Sequence, residues 1–197
     1  MREHRTPGRP RGFDIEATLD VIKALFWERG FEAVSLADIA AATGLRKGSL
    51  YAAYGDKQAM YLKALARYEA GEVAATIAAL QGPGEPRARL QAFLDGPIRA
   101  AYDAGDGRGC FLCNAAADRA LVDSDAAAIV RAGFERMEQA VAAVAAELDP
   151  ALSPETAAAV AAACVTAYAG LRVLARAEMA RASLEAARDR VLAALPG

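Results

Sequence analysis

Residues 35–54 read SLADIAAATGLRKGSLYAAY and predict two short helices joined by a tight turn. Ser35 stands three residues before Asp38, which is the spacing of an N-terminal capping box with Asp in place of Glu. A helix is therefore expected over 36–43, and Gly44 supplies the backbone conformation that ends it. Residues 47–54 predict the second helix.

Two short helices in this order form a helix-turn-helix when they cross steeply. The small Ala40 permits close packing, and three larger side chains are spaced to meet between the helices: Ile39, Leu45 and Leu50. The outward face of the second helix then carries Arg46, Lys47, Ser49, Tyr51 and Ala52. Such a face suits the major groove of DNA. Spacing alone also allows a helical hairpin that packs and binds nothing.

The composition of the whole chain favours helices throughout. Alanine, the residue with the highest helix propensity, occurs 52 times among the 197 residues, whereas strand-favouring residues are sparse. Apolar residues make up 55% of the chain, which excludes a disordered protein. Caps, glycines and apolar spacing predict nine helices, with Ser124, Ser153 and Ser183 as caps of the last three. The expected ranges are 14–30, 36–43, 47–54, 57–80, 86–102, 110–120, 124–148, 153–182 and 183–195.

The charge is concentrated at the N-terminus. The formal net charge is −2, so the molecule is no polycation, but residues 1–12 contain four Arg against one Glu. Within them, Gly8-Arg9-Pro10-Arg11-Gly12 resembles the core of an AT-hook, an extended segment that lies in the narrow minor groove of A·T-rich DNA. Arg9 and Arg11 are therefore candidate DNA contacts. The alternative is a solvated basic tail.

Several other classes of protein are not indicated. The N-terminus lacks an apolar run, and the longest uncharged stretch, 156–171, is shorter than the ~20 residues that span a bilayer. We therefore expect no membrane association and a reducing, cytoplasmic location for the three cysteines. The single histidine, His4, cannot complete a catalytic triad or a Cys/His zinc site. No enzyme activity, metal or cofactor is expected.

The N-terminal part resembles the TetR/AcrR transcriptional regulators. The resemblance rests on WERGFEAVSLADIA at 27–40, Thr43-Gly-Leu, Lys47-Gly-Ser-Leu-Tyr51, Tyr54 and Lys57. GLRVLARA at 170–177 also resembles the last long helix of a subset of that family. The resemblance implies an all-α fold of about nine helices and a two-fold dimer. It divides the chain into a basic arm (1–12), a three-helix helix-turn-helix DNA-binding domain (13–60) and a larger helical ligand-binding and dimerisation domain (61–197).

The resemblance also assigns DNA contacts residue by residue. Ser35 would cap the helix over 36–43 and touch a phosphate, and Tyr51 and Lys57 would contact phosphates. Tyr54 would pack or hydrogen-bond nearby. Ala52 stands where many relatives carry larger groups, so we expect few direct base contacts beyond a thymine methyl group. The expected contact set is Arg9, Arg11, Ser35, Arg46, Lys47, Gly48, Ser49, Tyr51, Ala52, Tyr54 and Lys57.

A ligand pocket among the middle helices is implied as well. Asn114 and Arg172 are of most interest, because polar groups on apolar helices need a partner. The effector is expected to be a small, mostly apolar molecule. Each candidate lining residue is equally a candidate for ordinary core packing; the candidates are Phe93, Tyr102, Phe111, Asn114, Phe134, Met137, Tyr168 and Arg172.

Cys110 and Cys113 form a second candidate sensor. They are three residues apart at the start of a predicted helix, so both sulfurs share one face, and Arg108 lies two residues before. A helix N-terminus and a nearby cation lower a thiol pKa, which suits a redox or electrophile sensor. The alternative is that both cysteines are buried and behave as small apolar residues.

The last two long helices are expected to form the dimer. Small residues over 157–163 give a flat face, and larger residues supply bulk, although intramolecular packing would use the same side chains: Leu171, Leu174, Leu184, Val191 and Leu195. A two-fold dimer would place its recognition helices about 34 Å apart, or a multiple, and would read a palindrome.

The sequence thus predicts a transcriptional repressor that a small apolar effector releases from a palindromic operator. Two alternatives stay open. One is a thiol-based regulator that uses Cys110 and Cys113 on the same scaffold. The other is an architectural binder of A·T-rich DNA that relies on the arm.

Overall fold

The computed structural model describes residues 13–196, and within them every regular element is helical. The all-α prediction is therefore confirmed. The elements are α1 (Ile15–Ala33), α2 (Leu36–Thr43), α3 (Lys47–Tyr54), α4 (Lys57–Tyr68), a π-helical turn (Glu69–Val73), α5 (Ala74–Leu80), α6 (Pro86–Tyr102), α7 (Phe111–Asp118), α8 (Ser124–Leu148), α9 (Pro154–Arg176) and α10 (Arg181–Ala193).

Helices α4 and α5 are continuous through the π-helical turn, so the described residues form nine separate helical rods, as expected. Asp56 begins the long rod by accepting a hydrogen bond from the amide of Ala59 at 2.8 Å. The π turn is a local change of helical register, a feature that often accompanies functional sites. Here it carries Glu72, whose side chain reaches an internal cavity.

The N-terminal three helices form a small bundle with an apolar centre. Ile22, Phe26, Ile39 and Leu50 are fully buried in it, which accounts for the periodicity of these residues. Tyr54 closes the bundle from α3, because its buried hydroxyl donates to the carbonyl oxygen of Ile15 at 2.8 Å.

Glycines mark two boundaries of the bundle. Gly44 has φ 69°, in the left-handed region that favours glycine, and ends α2 as predicted. Gly30 has φ 77° and ψ 173°, so the regular part of α1 stops there as expected, but one further helical turn carries the element on to Ala33.

The larger domain is built around α9. Helices α8 and α6 pack along it, and α10 closes against α6 and α9. Pro97 lies inside the continuous helix α6, and because proline has no N–H, the helical hydrogen bond to the carbonyl of Phe93 cannot form. Gly96 lies beside it with no atom within 4 Å of where a Cβ would stand.

Two predicted helix boundaries and one predicted cap in this domain were wrong, whereas the predicted range of α8, 124–148, was correct. Asp123, not Ser124, caps α8, since its carboxylate accepts the amides of Asp125 at 3.1 Å and Ala126 at 3.0 Å. Helix α7 ends at Asp118 rather than at residue 120.

The break between the last two helices lies at residues 177–180, so Ser183 caps nothing and stands inside α10. The tight turn there includes Glu178 at φ 57° and contains neither glycine nor proline. The predicted Ser153 cap is confirmed, because its hydroxyl accepts the amide of Thr156 at 3.2 Å.

Helix α9 is, by length and composition, the one helix within residues 13–196 that is apolar enough to cross a membrane. Only 33% of its most apolar window is buried in the single chain. The uncharged stretch 156–171 by itself is too short to span a bilayer, but α9 extends beyond it at both ends. In the folded chain this helix packs against α6 and α8.

Candidate functional site

The start of α2 is held by a reciprocal capping box. The hydroxyl of Ser35 accepts the amide of Asp38 at 3.1 Å, and the Asp38 carboxylate accepts the amide of Ser35 at 2.8 Å. The Ser35 hydroxyl also donates to that carboxylate, and these hydrogen bonds lower the pKa of Asp38 below its ordinary value. The predicted capping box is therefore confirmed, and it fixes the angle at which α2 supports α3.

The surface of α3 presents the residues that the sequence placed outward. Tyr51 is 47% exposed, and the side chains of Lys47, Ser49 and Ala52 are also at the surface, as are Arg46 and Gly48. No side chain caps the N-terminus of α3. Its first amides therefore face outward beside two cations, an arrangement that attracts phosphate oxygens.

Two residues of the expected contact set do not extend from this surface. Tyr54 is 1% exposed and is bonded to Ile15, so it positions α3 against α1 and does not reach outward. Its place in the expected DNA-contact set is corrected to a packing role. Lys57 is half-buried, with its ammonium 4.3 Å from the centre of the Phe31 ring. Arg9 and Arg11 lie outside the described residues.

A cavity of about 580 Å³ opens between α5, α6 and α9. Three predicted pocket residues, Phe93, Tyr168 and Arg172, line it, and the Phe93 and Tyr168 rings stack with their centres 4.5 Å apart. The rest of the wall combines apolar residues, among them Leu80, Gly96 and several alanines, with the polar residues Thr76, Glu85, Arg89 and Arg99. We call this the outer chamber; it has the size of a site for a small molecule.

A second cavity of about 150 Å³ lies deeper and is called the inner chamber. Thr76, Tyr168 and Arg172 line both chambers, so the two adjoin at these residues. Met137, also predicted, lines the inner chamber together with Trp27 of α1. The inner chamber therefore reaches from the larger domain to α1 of the N-terminal bundle.

The comparisons with known proteins agree with this architecture. Residues 19–64 match the model of the bacterial regulatory proteins of the tetR family. A cysteine mutant of the TetR family transcriptional regulator CifR, solved with 26-bp double-strand operator DNA, is 30% identical to this chain, with a TM-score of 0.73. That match covers 96% of this chain and 100% of the CifR chain. This chain belongs to the TetR family.

Two curated relatives show how much of the chain is similar to known regulators. The HTH-type transcriptional repressor ComR of Escherichia coli (strain K12) is 44% identical over 64 residues, which is 32% of this chain and 30% of ComR. The uncharacterized HTH-type regulator YezE of Bacillus subtilis (strain 168) is 28% identical over 133 residues, covering 68% of this chain and 69% of YezE. The chain thus spans only about a third of ComR, and a larger share of YezE. This TetR-family protein is a DNA-binding transcriptional regulator, and the relatives named are regulators.

Four predicted pocket residues lie away from both chambers. Phe111 is 1% exposed and packs edge-on against two tyrosines in the core. Asn114 donates to the backbone carbonyls of Trp27 at 3.3 Å and Arg108 at 3.1 Å, so its polar group has its partners within the fold. Tyr102 donates to the carbonyl of Met179, and Phe134 packs partly buried against the core.

The two thiols of this TetR-family chain lie together, as their spacing suggested. Cys110 precedes α7 and is buried, and Cys113 is half-buried. A hydrogen bond between the two side chains lowers the pKa of Cys110, helped by the Tyr68 hydroxyl and by the positive charge of Arg172, while the same bond raises the pKa of Cys113. Within residues 13–196, no group of three or more metal-binding side chains is assembled.

A joint between the two domains was not predicted from the sequence. At one end, the Phe31 amide donates to Asp118 of α7 at 3.4 Å, and the guanidinium of Arg119 stands 4.0 Å from the centre of the Phe31 ring. At the other, Arg176 of α9 donates to the carbonyls of Arg108 at 2.8 Å and Glu28 at 3.4 Å. These contacts join residues 68 to 148 positions apart, so no local pattern reveals them.

Proposed function

We propose that this TetR-family regulator is a dimeric repressor, located in the cytoplasm, that leaves a palindromic operator when a small molecule occupies the two chambers. The observation that carries the proposal is the direct connection between the chambers and the DNA-binding bundle. Trp27 belongs to α1 of the bundle and also lines the inner chamber.

DNA recognition is assigned to α3 and the start of α2. The exposed cations Arg46 and Lys47, the exposed ring of Tyr51 and the uncapped amides form one surface. Operator binding by the related CifR and the repressor function named for ComR support this assignment. Ala52 leaves little beyond a methyl contact to bases, so phosphate contacts, Ser35 and the arm residues Arg9 and Arg11 supply much of the affinity.

Dimerisation is assigned to α9 and α10. On α9, Val173 is 52% exposed and Leu174 43% exposed, next to small residues at the surface. Leu171, Leu184 and Leu195 are buried within their own chain, so they contribute to the monomer core and not to a dimer contact. A two-fold pair would explain the apolar surface of α9 and would repeat the recognition helix at a fixed spacing.

Release would follow from the geometry of α9. Arg172 borders both chambers, and Arg176, one helical turn later, holds the carbonyl of Glu28 in α1. A molecule that shifts α9 on binding would therefore move α1 through Arg176 and Trp27. In a dimer this changes the spacing of the two α3 helices, which is a population shift between two geometries.

A second candidate function rests on the thiol pair. The mutual hydrogen bond and the lowered pKa of Cys110 favour oxidation there. A peroxide would accept two electrons and two protons from the pair, leaving a Cys110–Cys113 disulfide and water. If a Cys110→Ser variant loses operator binding after peroxide treatment just as the wild type does, this candidate is eliminated.

The proposed effector site is tested by filling it. Gly96→Leu adds a side chain where the backbone faces open space at the wall of the outer chamber. We expect the variant to fold and bind operator like the wild type but to resist compounds that release the wild type in a binding screen. Gly71→Leu is the matched control, since Gly71 is exposed, has open space at its Cβ position and lies outside both chambers. Equal release of wild type and Gly96→Leu would contradict the proposal.

A further inference from the structure

Arg172 stands where the two chambers adjoin and lacks a carboxylate partner among the described residues. Its Nε donates to the hydroxyl of Tyr168 at 3.1 Å, and its guanidinium lies 5.1 Å from the centre of the same ring. A half-buried cation with no carboxylate beside it is incompletely matched in the empty protein, because a tyrosine hydroxyl and the nearby Cys110 thiol replace only part of its lost hydration. The other half-buried arginines of the larger domain have such partners: Arg188 pairs with Asp95 at 2.6 Å and Arg108 with Asp106 at 2.8 Å.

The acidic groups around the chambers are already neutralised. Glu72 of the inner chamber pairs with Lys23 at 2.7 Å, and Asp106 is held by Arg108. Arg89 of the outer chamber donates to Glu147. At the outer rim, Glu85 and Arg99 both line the opening, are both solvent-exposed and cancel in charge. Arg172 therefore remains as the uncompensated charge at the junction.

The inner chamber also offers a neutral donor. The indole Nε1 of Trp27 is buried and has no hydrogen-bond partner within residues 13–196. Glu72 Oε2 is likewise buried without a partner, which leaves an acceptor for a ligand hydroxyl or N–H. The outer chamber has apolar walls of Phe93, Leu80 and alanines. Its other polar lining consists of Thr76, the exposed Glu85 and Arg99, and Arg89, which is paired with Glu147.

We propose that the effector is a carboxylate with an apolar body. Its head accepts hydrogen bonds from Arg172 at the junction and from Trp27 in the inner chamber. Its body lies in the outer chamber against Phe93. This inference rests on the proposed function, and it replaces the mostly apolar effector expected from the sequence by an amphipathic anion. A charge-assisted pair with an arginine that is already desolvated favours the anion over any neutral analogue.

The test uses octanoate and 4-phenylbutanoate, each compared with its neutral primary amide. Full-length protein is titrated with each probe while its Tm and its anisotropy on operator DNA are followed. We expect the carboxylates to bind about tenfold more tightly than the amides. Arg172→Met should remove that preference, whereas Arg131→Met, on the exposed side of α8, should keep it.

A ligand-free readout separates this role from a structural one. If Arg172 awaits an anion, Arg172→Met relieves an unpaired cation and should raise the Tm of the free protein by about 2–4 °C. A lowered Tm would overturn the inference. A second result would also overturn it: Arg172→Met loses thiol reactivity toward a disulfide reagent but binds carboxylates as tightly as the wild type does. Arg172 would then act only on the Cys110 thiol.

The remaining outcomes distinguish this inference from the proposed function. If the amides bind as tightly as the acids and release operator DNA, the carboxylate inference is overturned while the effector site stands. If neither carboxylate binds at millimolar concentration, the carboxylate inference is overturned, and the effector site itself is contradicted only if Gly96→Leu and the wild type are released equally in the screen.

Discussion

The DNA-binding bundle and the two chambers differ in how completely their polar groups are paired. In the bundle, Ser35 and Asp38 satisfy each other's amides, and Tyr54 is bonded to the backbone of α1. Around the chambers, Trp27 Nε1 and Glu72 Oε2 are buried without partners in the described chain, and Arg172 lacks an anion. The polar groups of the bundle are therefore paired within the fold, whereas the chambers leave polar groups that the proposed effector would pair.

Helix geometry shows the same contrast. Helices α2 and α3 are regular eight-residue helices with a left-handed glycine between them. The chambers are bordered by a π-helical turn and by α6, in which Pro97 removes one backbone hydrogen bond. Irregular helices store less local stability, and sites that must move are drawn from such regions.

The largest expected effect concerns the core of the bundle. Leu50 is fully buried, so Leu50→Ala should cost about 2–5 kcal/mol of the free energy of unfolding and abolish operator binding. The matched control is Leu121→Ala, because Leu121 is 97% exposed and should change stability by no more than about 0.5 kcal/mol. Urea denaturation of both variants measures this, and equal losses would contradict the assigned core.

A pair of glycines tests the turn of the helix-turn-helix. Gly44 has φ 69° with open space around it, so Gly44→Ala should destabilise the chain by about 1–2 kcal/mol through backbone strain alone. Gly48 is helical and equally open, so Gly48→Ala should raise Tm slightly and yet weaken DNA binding, since its Cβ would stand on the phosphate-facing surface. Thermal unfolding and anisotropy distinguish the two. A Tm loss at Gly48 matching that at Gly44 would refute the turn geometry.

The capping box predicts a smaller change. Ser35→Ala removes the acceptor for the Asp38 amide and should cost about 1 kcal/mol of stability. Ser183→Ala serves as the control, since Ser183 stands inside α10 and caps no helix. Denaturant midpoints of the two variants should therefore separate, and a Ser183→Ala loss as large as that of Ser35→Ala would not fit the structure.

The smallest effect is a pH dependence at the start of α8. Hydrogen bonds from the Ala126 amide and from Arg119 lower the pKa of Asp123 below its ordinary value of 3.8. The resulting stability is present above that value and is lost as the pH falls through the lower folded pKa. Asp123→Asn keeps a cap without the charge, so the advantage of the wild type should shrink between pH 6 and pH 3. Unfolding curves at both pH values measure it, and a constant difference would contradict the assignment.

Local signals explain what the sequence could predict. Ser35, Gly44 and Asp56 each act on backbone groups within four residues, so α2, α3 and the start of α4 were predicted with their boundaries, whereas the end of α1 was placed three residues too early. The turn at 177–180 has no such signal, because a non-glycine residue, Glu178, adopts the positive φ. The break before α10 was accordingly missed.

The candidate site divides in the same way. Exposure of Lys47 and Tyr51 follows from helical periodicity, and Arg172 was singled out because a charge on an apolar helix needs a partner. Periodicity cannot tell which of Phe93 and Phe111 faces a cavity, since both are apolar and almost fully buried. Trp27 enters the chamber only through tertiary packing.

The most direct test of the central claim is a selection of operator DNA from random duplexes with the full-length reduced protein. If a dimer reads DNA through α3, the selected sequences will share a palindrome with half-sites about one helical turn apart, or a multiple of that spacing. Tyr51→Ala should lose affinity for it, and Gly96→Leu should not. Recovery of A·T-rich DNA without a dyad, bound equally by both variants, would contradict the claim and assign binding to the arm.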